Sequence, residues 1–173
     1  MDANLAKPVS ASAIQNHTYK IFPNDLNSKE TVFGGLVMAI SDRIASVVAE
    51  KHSEARTCVT AEVDSMHFLA PAQRGDTLVF YASINRSWNS SMEIGVKVFA
   101  ENFHLKTKKH IVSAYFLFVA LDEHNCPIKV PKVIPETDAE QRRYHEAGAR
   151  RERRQAERKE KQTKDAEIKS GIK

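Results

Sequence analysis

The chain has 173 residues, of which 42% are hydrophobic and 28% charged, and its formal net charge is +4. These values suit a globular protein of one domain plus an appendage, with enough chain for a modest core. They exclude a membrane-spanning helix, since no run approaches roughly 18 apolar residues, and the polar opening "MDANLAKPVS" is not a secretory signal.

Ser12–Pro23 alternates weakly and is expected to form a first strand, followed by the turn formers of "NDLNSKET". From Gly34 to about His52 the sequence is apolar almost all the way round, through Leu36, Val37, Met38, Ile40, Ile44, Ala45, Val47 and Val48. That predicts a helix enclosed by other structure. After the loop "SEART", "CVTAEVD" alternates, with Val59, Ala61 and Val63 expected on one face and Thr60, Glu62 and Asp64 on the other, polar face. "PAQRGD" is a turn with Gly75 placed for it. Leu78, Phe80, Ala82 and Ile84 mark the inward face of the next strand. Met92, Ile94, Val96, Val98 and Ala100 mark that of its successor, and "NRSWNSS" joins the two. "IVSAYFLFVALD" is apolar on both faces, the pattern of a strand covered on both sides. One strand, one long helix and four strands in a meander predict an α+β domain over residues 10–135. An antiparallel sheet would wrap the helix, and a second subunit would cover part of that sheet.

The composition changes after "PKVIPET". Residues 1–135 hold 14 basic and 13 acidic side chains, whereas residues 136–173 hold 12 and 9. The positive excess therefore belongs to a tail and not to a nucleic-acid-binding face. The tail reads as an exposed basic helix supported by i,i+4 ion pairs and frayed at its end. It lacks interleaved aromatic residues for base stacking and the fatty face of a membrane-surface helix, so specific nucleic-acid or membrane partners are not expected. Cys58 and Cys126 read as reduced thiols of a cytoplasmic protein. The histidines are scattered singly, and no metal site is expected.

The chemistry-bearing residues gather around the helix. If Gly34–Gly35 opens it, the first peptide N–H groups lack partners and carry the positive end of the helix dipole. Two glycines let a ligand approach that backbone, which makes a ready oxyanion hole. Asp42 follows Gly35 by seven residues. It lies on the same face, about 10 Å down the axis, too far to serve the same carbonyl. A partner subunit with its helix alongside would bring the helix end of one chain to the Asp42 of the other, making two sites per two-fold dimer.

The pattern N-x5-FGG-x6-D, here Asn27, Phe33-Gly34-Gly35 and Asp42, resembles the acyl-CoA thioester hydrolases of the hotdog fold. "VTAEVDSMHFLAPAQRGD", "NSSMEIGVKVFAEN" and "FVALDEHNCPIKVPKVIPETDAEQRR" resemble further blocks of the same family, so the likeness covers roughly Ser12 to Arg154. It implies a single hotdog domain, a long helix wrapped by an antiparallel sheet, in protomers that pair and often assemble into hexamers. It implies hydrolysis of acyl-CoA with no cofactor, CoA being part of substrate and product. Asp42 would be the catalytic carboxylate, acting as general base on water or as nucleophile, and Asn27 would come from the facing subunit. The N–H of Gly34 or Gly35 would hold the oxyanion, and Phe33 would wall the acyl tunnel. Thr60 and Ser91 would line the cleft, and Arg74, Arg86 and Lys97 are candidates for the CoA phosphates.

Three other readings compete, one of them a scaffold whose basic tail recruits RNA. "MHFLAP" around His67 is similar to the histidine motif of hotdog dehydratases, but His67 follows the helix acid in sequence. A non-catalytic acyl-CoA sensor is the alternative from another class; the retained Asp42 and the short segment before the first strand argue against it.

Overall fold

The computed structural model describes residues 5–170, with side chains to residue 165. In chain order the elements are β1 (Lys7–Pro8), β2 (Ile14–Lys20), α1 (Gly34–Ser53), β3 (Thr57–Phe68), β4 (Thr77–Ser87), β5 (Ser91–Asn102), β6 (Thr107–Leu121), β7 (Val133–Ile134) and α2 (Asp138–Ser170). Five strands form one antiparallel sheet in the order β2-β4-β5-β6-β3. A two-residue parallel pair, β1 with β7, lies apart from it. The expected four-strand meander holds only for β4-β5-β6. The chain returns β3 to the far edge beside β6, so β3 is an edge strand.

α1 packs on one face of the sheet, against β3, β4, β5 and β6. Its buried residues, Val37, Ser41, Ile44, Ala45, Val48, Ala49 and His52, recur at the helical period, and small Ala45 and Ala49 let the helix sit close to the strands. The inward sets expected on β4 and β5 are all buried, as are Val112, Ala114, Phe116, Phe118 and Ala120 of β6. The helix is not enclosed on every side. Gly35, Met38, Ala39, Arg43 and Val47 are exposed, so one stripe of α1 stands open beside edge strand β3.

β3 departs from simple alternation. Its pairing with β6 shifts register between Thr60 and Glu62 and again between Val63 and Ser65, leaving Ala61 and Asp64 as bulge residues. Thr60 pairs with inward Phe118, and Val59 with Val119 on the outer face. The expected grouping of Thr60 with Glu62 and Asp64 is therefore corrected: the first bulge turns Thr60 toward α1, while Glu62 and Asp64 face outward.

α2 lies on that outer face. Glu93 of β5, fully buried, accepts hydrogen bonds from Arg150 (2.7 Å) and Arg154 (3.2 Å), and Arg154 also reaches Asp64 at 3.1 Å. Arg158 pairs with Glu62, Arg151 donates to Ser91 Oγ, and the Arg150 guanidinium lies 3.8 Å from the centre of the Tyr115 ring. Arg142–Glu146 and Lys164–Glu160 are i,i+4 pairs of the kind expected. The middle of the helix, however, is docked on the sheet and not free in solvent. The described helices include none long and apolar enough to cross a membrane.

Candidate active site

Phe33 ends the preceding loop in extended conformation (φ −64°, ψ 123°), and α1 starts at Gly34 with no side chain capping it. Its first N–H groups are left for a ligand. A cavity of about 410 Å³ opens at this end, lined by Val32, Gly34, Val37, Phe68, Leu69 and Ile111 among others. Its lining side chains are apolar apart from Thr31, which suits a hydrocarbon chain. A Cβ at Gly34 would lie 3.2 Å from Phe68 Cζ, and one at Gly35 would fall on the Phe33 ring. A side chain at Gly34 would press on the Phe68 ring, and one at Gly35 would need the Phe33 ring to move. Phe33 itself is 59% exposed, beside the cavity mouth and outside the core.

Asp42 sits two turns further on, at the border of the open stripe. Thr60 Oγ1 donates to Asp42 Oδ1 at 2.7 Å. One carboxylate oxygen is thereby fixed and the other is left for a water or a substrate. Asn27 belongs to the loop before α1 and folds that loop on itself: its Oδ1 accepts from the N–H of Lys29 (2.9 Å) and Thr31 (3.3 Å), and its Nδ2 donates to Thr31 Oγ1 (2.9 Å). The second Nδ2 hydrogen remains available.

The remaining candidates scatter. Arg74 stands exposed beside Gln73, which bridges to Thr31, so it flanks the Asn27 loop. Arg86 is half-buried beside α2, its guanidinium 4.4 Å from the Tyr144 ring centre and its Nε buried with no hydrogen-bond partner among the described residues. Lys97 is exposed on the outer face, at a separate hollow of about 500 Å³ between β4, β5 and the start of α2. Ser91 is also on the outer face, bonded to Arg151, and so points away from Asp42. His67 pairs with Ser113 on that face and is exposed, which removes the geometry a dehydratase needs with an acid on α1. Phe68, Val37 and Ile111, which line the cavity, were not singled out in the sequence; Phe68 carried a signal, as an aromatic in the "HFLAP" turn opposite the glycines. Among the described residues no group of three or more His, Cys, Asp or Glu side chains is placed to hold a metal.

Residues 29–105 match the Thioesterase superfamily. The uncharacterized acyl-CoA thioester hydrolase YkhA of Bacillus subtilis is 38% identical over 123 residues, 71% of each chain.

The chain belongs to the thioesterase superfamily, among its acyl-CoA thioester hydrolases.

Solved structures agree. An apo-hexameric acyl-CoA thioesterase, 35% identical, superposes with a TM-score of 0.85 over 88% of this chain and 97% of its own. The Staphylococcus aureus acyl-CoA hydrolase, solved with butyryl coenzyme A and coenzyme A, is 37% identical, with a TM-score of 0.85 over 94% of this chain and 98% of its own. That enzyme has also been solved as alanine variants of an aspartate, a threonine and an asparagine. The helix on an antiparallel sheet is the hotdog fold of this superfamily.

Proposed function

We propose that this member of the thioesterase superfamily hydrolyses acyl-CoA to a free acid and CoA at a site shared by two protomers, in the cytoplasm. The observation that carries the reading is Asp42, held by Thr60 at 2.7 Å on the helix whose N-terminus opens on an apolar cavity. Asp42 acts as general base toward water or as nucleophile toward the thioester carbonyl. The Gly34 and Gly35 N–H groups take the developing oxyanion, and the free Nδ2 hydrogen of Asn27 orients the water or the carbonyl. Thiolate is a good leaving group and needs little acid assistance. The acyl chain enters the cavity between Phe68 and Ile111, with Phe33 at its mouth. Arg74, next to the Asn27 loop, is the best placed of the three cations for a CoA phosphate.

Asp42 and the α1 N-terminus of one chain stand about 10 Å apart, so a partner must supply the second half of each site. The open stripe of α1 and the exposed Val63, Phe68 and Leu69 along edge strand β3 form the surface such a partner would cover. Hexameric relatives support further assembly. The free thiols of Cys58 and Cys126 fit a reducing compartment.

The test is thiol release from acyl-CoAs of short to long chain by the wild type and by Asp42→Asn. Turnover by the wild type that falls about 10²–10⁴-fold in the variant, with acyl-CoA still bound, is the expected result. Near-normal turnover in the variant would remove Asp42 from the mechanism. A wild type that binds acyl-CoA without releasing thiol would make the sensor the better reading.

A further inference from the structure

We infer that α2 is a brace that sets the register of β3 and so aims Thr60 at Asp42, with Asp64 and Arg154 as positioning residues for the reaction. The inference rests on the roles proposed above for Asp42 and Thr60. A residue reaches inward or outward on a strand by parity alone, and one extra or missing residue reverses it. Thr60 faces α1 only because Ala61 is bulged out after it, and the outward course of Glu62 and Asp64 depends on the same irregular stretch. Bulges at a sheet edge weaken the ladder and need outside support.

α2 supplies that support at two points within the irregular stretch, Glu62 and Asp64. Arg154 is 5% exposed at its side chain and joins Asp64 of β3 (3.1 Å) to Glu93 of β5 (3.2 Å), across the intervening strand β6. Asp64, itself a bulge residue, is 4% exposed at its side chain, and Arg153 approaches it from the solvent side at 3.4 Å. Glu93 is anchored in turn by Arg150 and by Asn85 Nδ2 at 3.1 Å. One turn further along α2, Arg158 takes Glu62, the residue that follows the first bulge. Arg150, Arg154 and Arg158 stand four apart and present one face of the helix, so a single rigid element grips the bulged segment at two points. A carboxylate that is nearly buried does not tolerate losing its cation, which makes the slipped register unfavourable. The brace touches no reacting atom. It acts through the strand that carries Thr60.

The experiment combines kinetics with hydrogen exchange on the full-length protein. Asp64→Asn leaves Arg154 its Glu93 partner and keeps the side-chain shape; Arg158→Gln breaks an exposed pair and keeps the test available if Asp64→Asn folds poorly. Each is made alone and in a Thr60→Val background. We expect kcat on the best acyl-CoA to drop on the order of 10–100-fold in Asp64→Asn, and less in Arg158→Gln, with KM changed by less than about twofold. In the Thr60→Val background neither substitution should cost more. Equal losses in the two backgrounds would overturn the inference, because the arginines would then act on something other than Thr60. Amide exchange over residues 57–68 should quicken in both variants, and unchanged exchange would also overturn it. Exchange needs no turnover. A wild type inactive on acyl-CoA would therefore refute the thioesterase reading, while the brace itself would still be judged by exchange.

Discussion

Gly35 shows how much one absent side chain decides. A Cβ there would occupy the position of the Phe33 ring, and that ring is 59% exposed and free to swing outward. The helix can accept the methyl once the ring moves, and alanine is the better helix former, by less in this first turn than the roughly 1 kcal/mol of a helix interior. Gly35→Ala should therefore keep or slightly raise the melting temperature while lowering kcat/KM for acyl-CoA about tenfold or more, because Phe33 and the oxyanion N–H groups are displaced together. Thermal unfolding and thiol release on one preparation check this; a lower melting temperature with unchanged kcat/KM would contradict it. Asn27, Gly34, Gly35 and Asp42 could be nominated from the sequence because they fall within one short stretch at fixed spacing. Thr60 was legible as a residue type but not in its direction, since no pattern announces a bulge at Ala61. The surroundings of Arg86 and Ser91 were hidden for a related reason: a cation and a hydroxyl in a strand look available until a distant helix is seen to pack on them.

Among the elements, the C-terminal helix differs most from expectation. A charge-rich sequence reads as solvated, and only the fold places a buried carboxylate beneath two of its arginines. Glu93→Gln would leave Arg150 without its main partner and Arg154 with Asp64 alone. The expected cost is about 3–5 kcal/mol in denaturant unfolding, the range for removing one partner of a buried pair; a loss under about 1 kcal/mol would mean the pair is solvated. The far end of α1 carries a second device. His52 is fully buried; its Nε2 lies 3.1 Å from the Pro131 carbonyl oxygen, which makes it the protonated nitrogen, and its Nδ1 has no hydrogen-bond partner among the described residues. Burial pushes the imidazole below its ordinary pKa; the Pro131 hydrogen bond opposes that shift and the Lys7 ammonium adds to it. The unfolded chain therefore takes up the proton first as pH falls. The His52 contribution to stability is complete above the unfolded value of about 6.5 and is lost as pH drops from there through the folded value. His52→Gln should flatten that part of the stability–pH curve; an unaltered slope would show that other groups cause it.

For the whole molecule the proposed sharing of the site between protomers can be tested directly. On the proposed reading, one protomer holds Asp42 with Thr60 at one place and the helix end with its cavity and the Asn27 loop at another, and the proposed site needs both. Mixing Asn27→Ala and Asp42→Asn protomers should restore part of the activity, because one of the two sites in a mixed dimer then receives both intact halves. No recovery, with mixed dimers shown by mass, would place the site within one chain. The sequence by itself determined the order and length of the main elements, the inward faces of β4 and β5 and the motif around α1, because periodicity and turn chemistry act over a few residues. Only the tertiary structure decided where β3 joins the sheet, which way Thr60 points, what α2 covers and which cations stay free. Those outcomes depend on register and on contacts between residues far apart in the chain, as when Arg154 meets Glu93 and Asp64, and no local pattern encodes them.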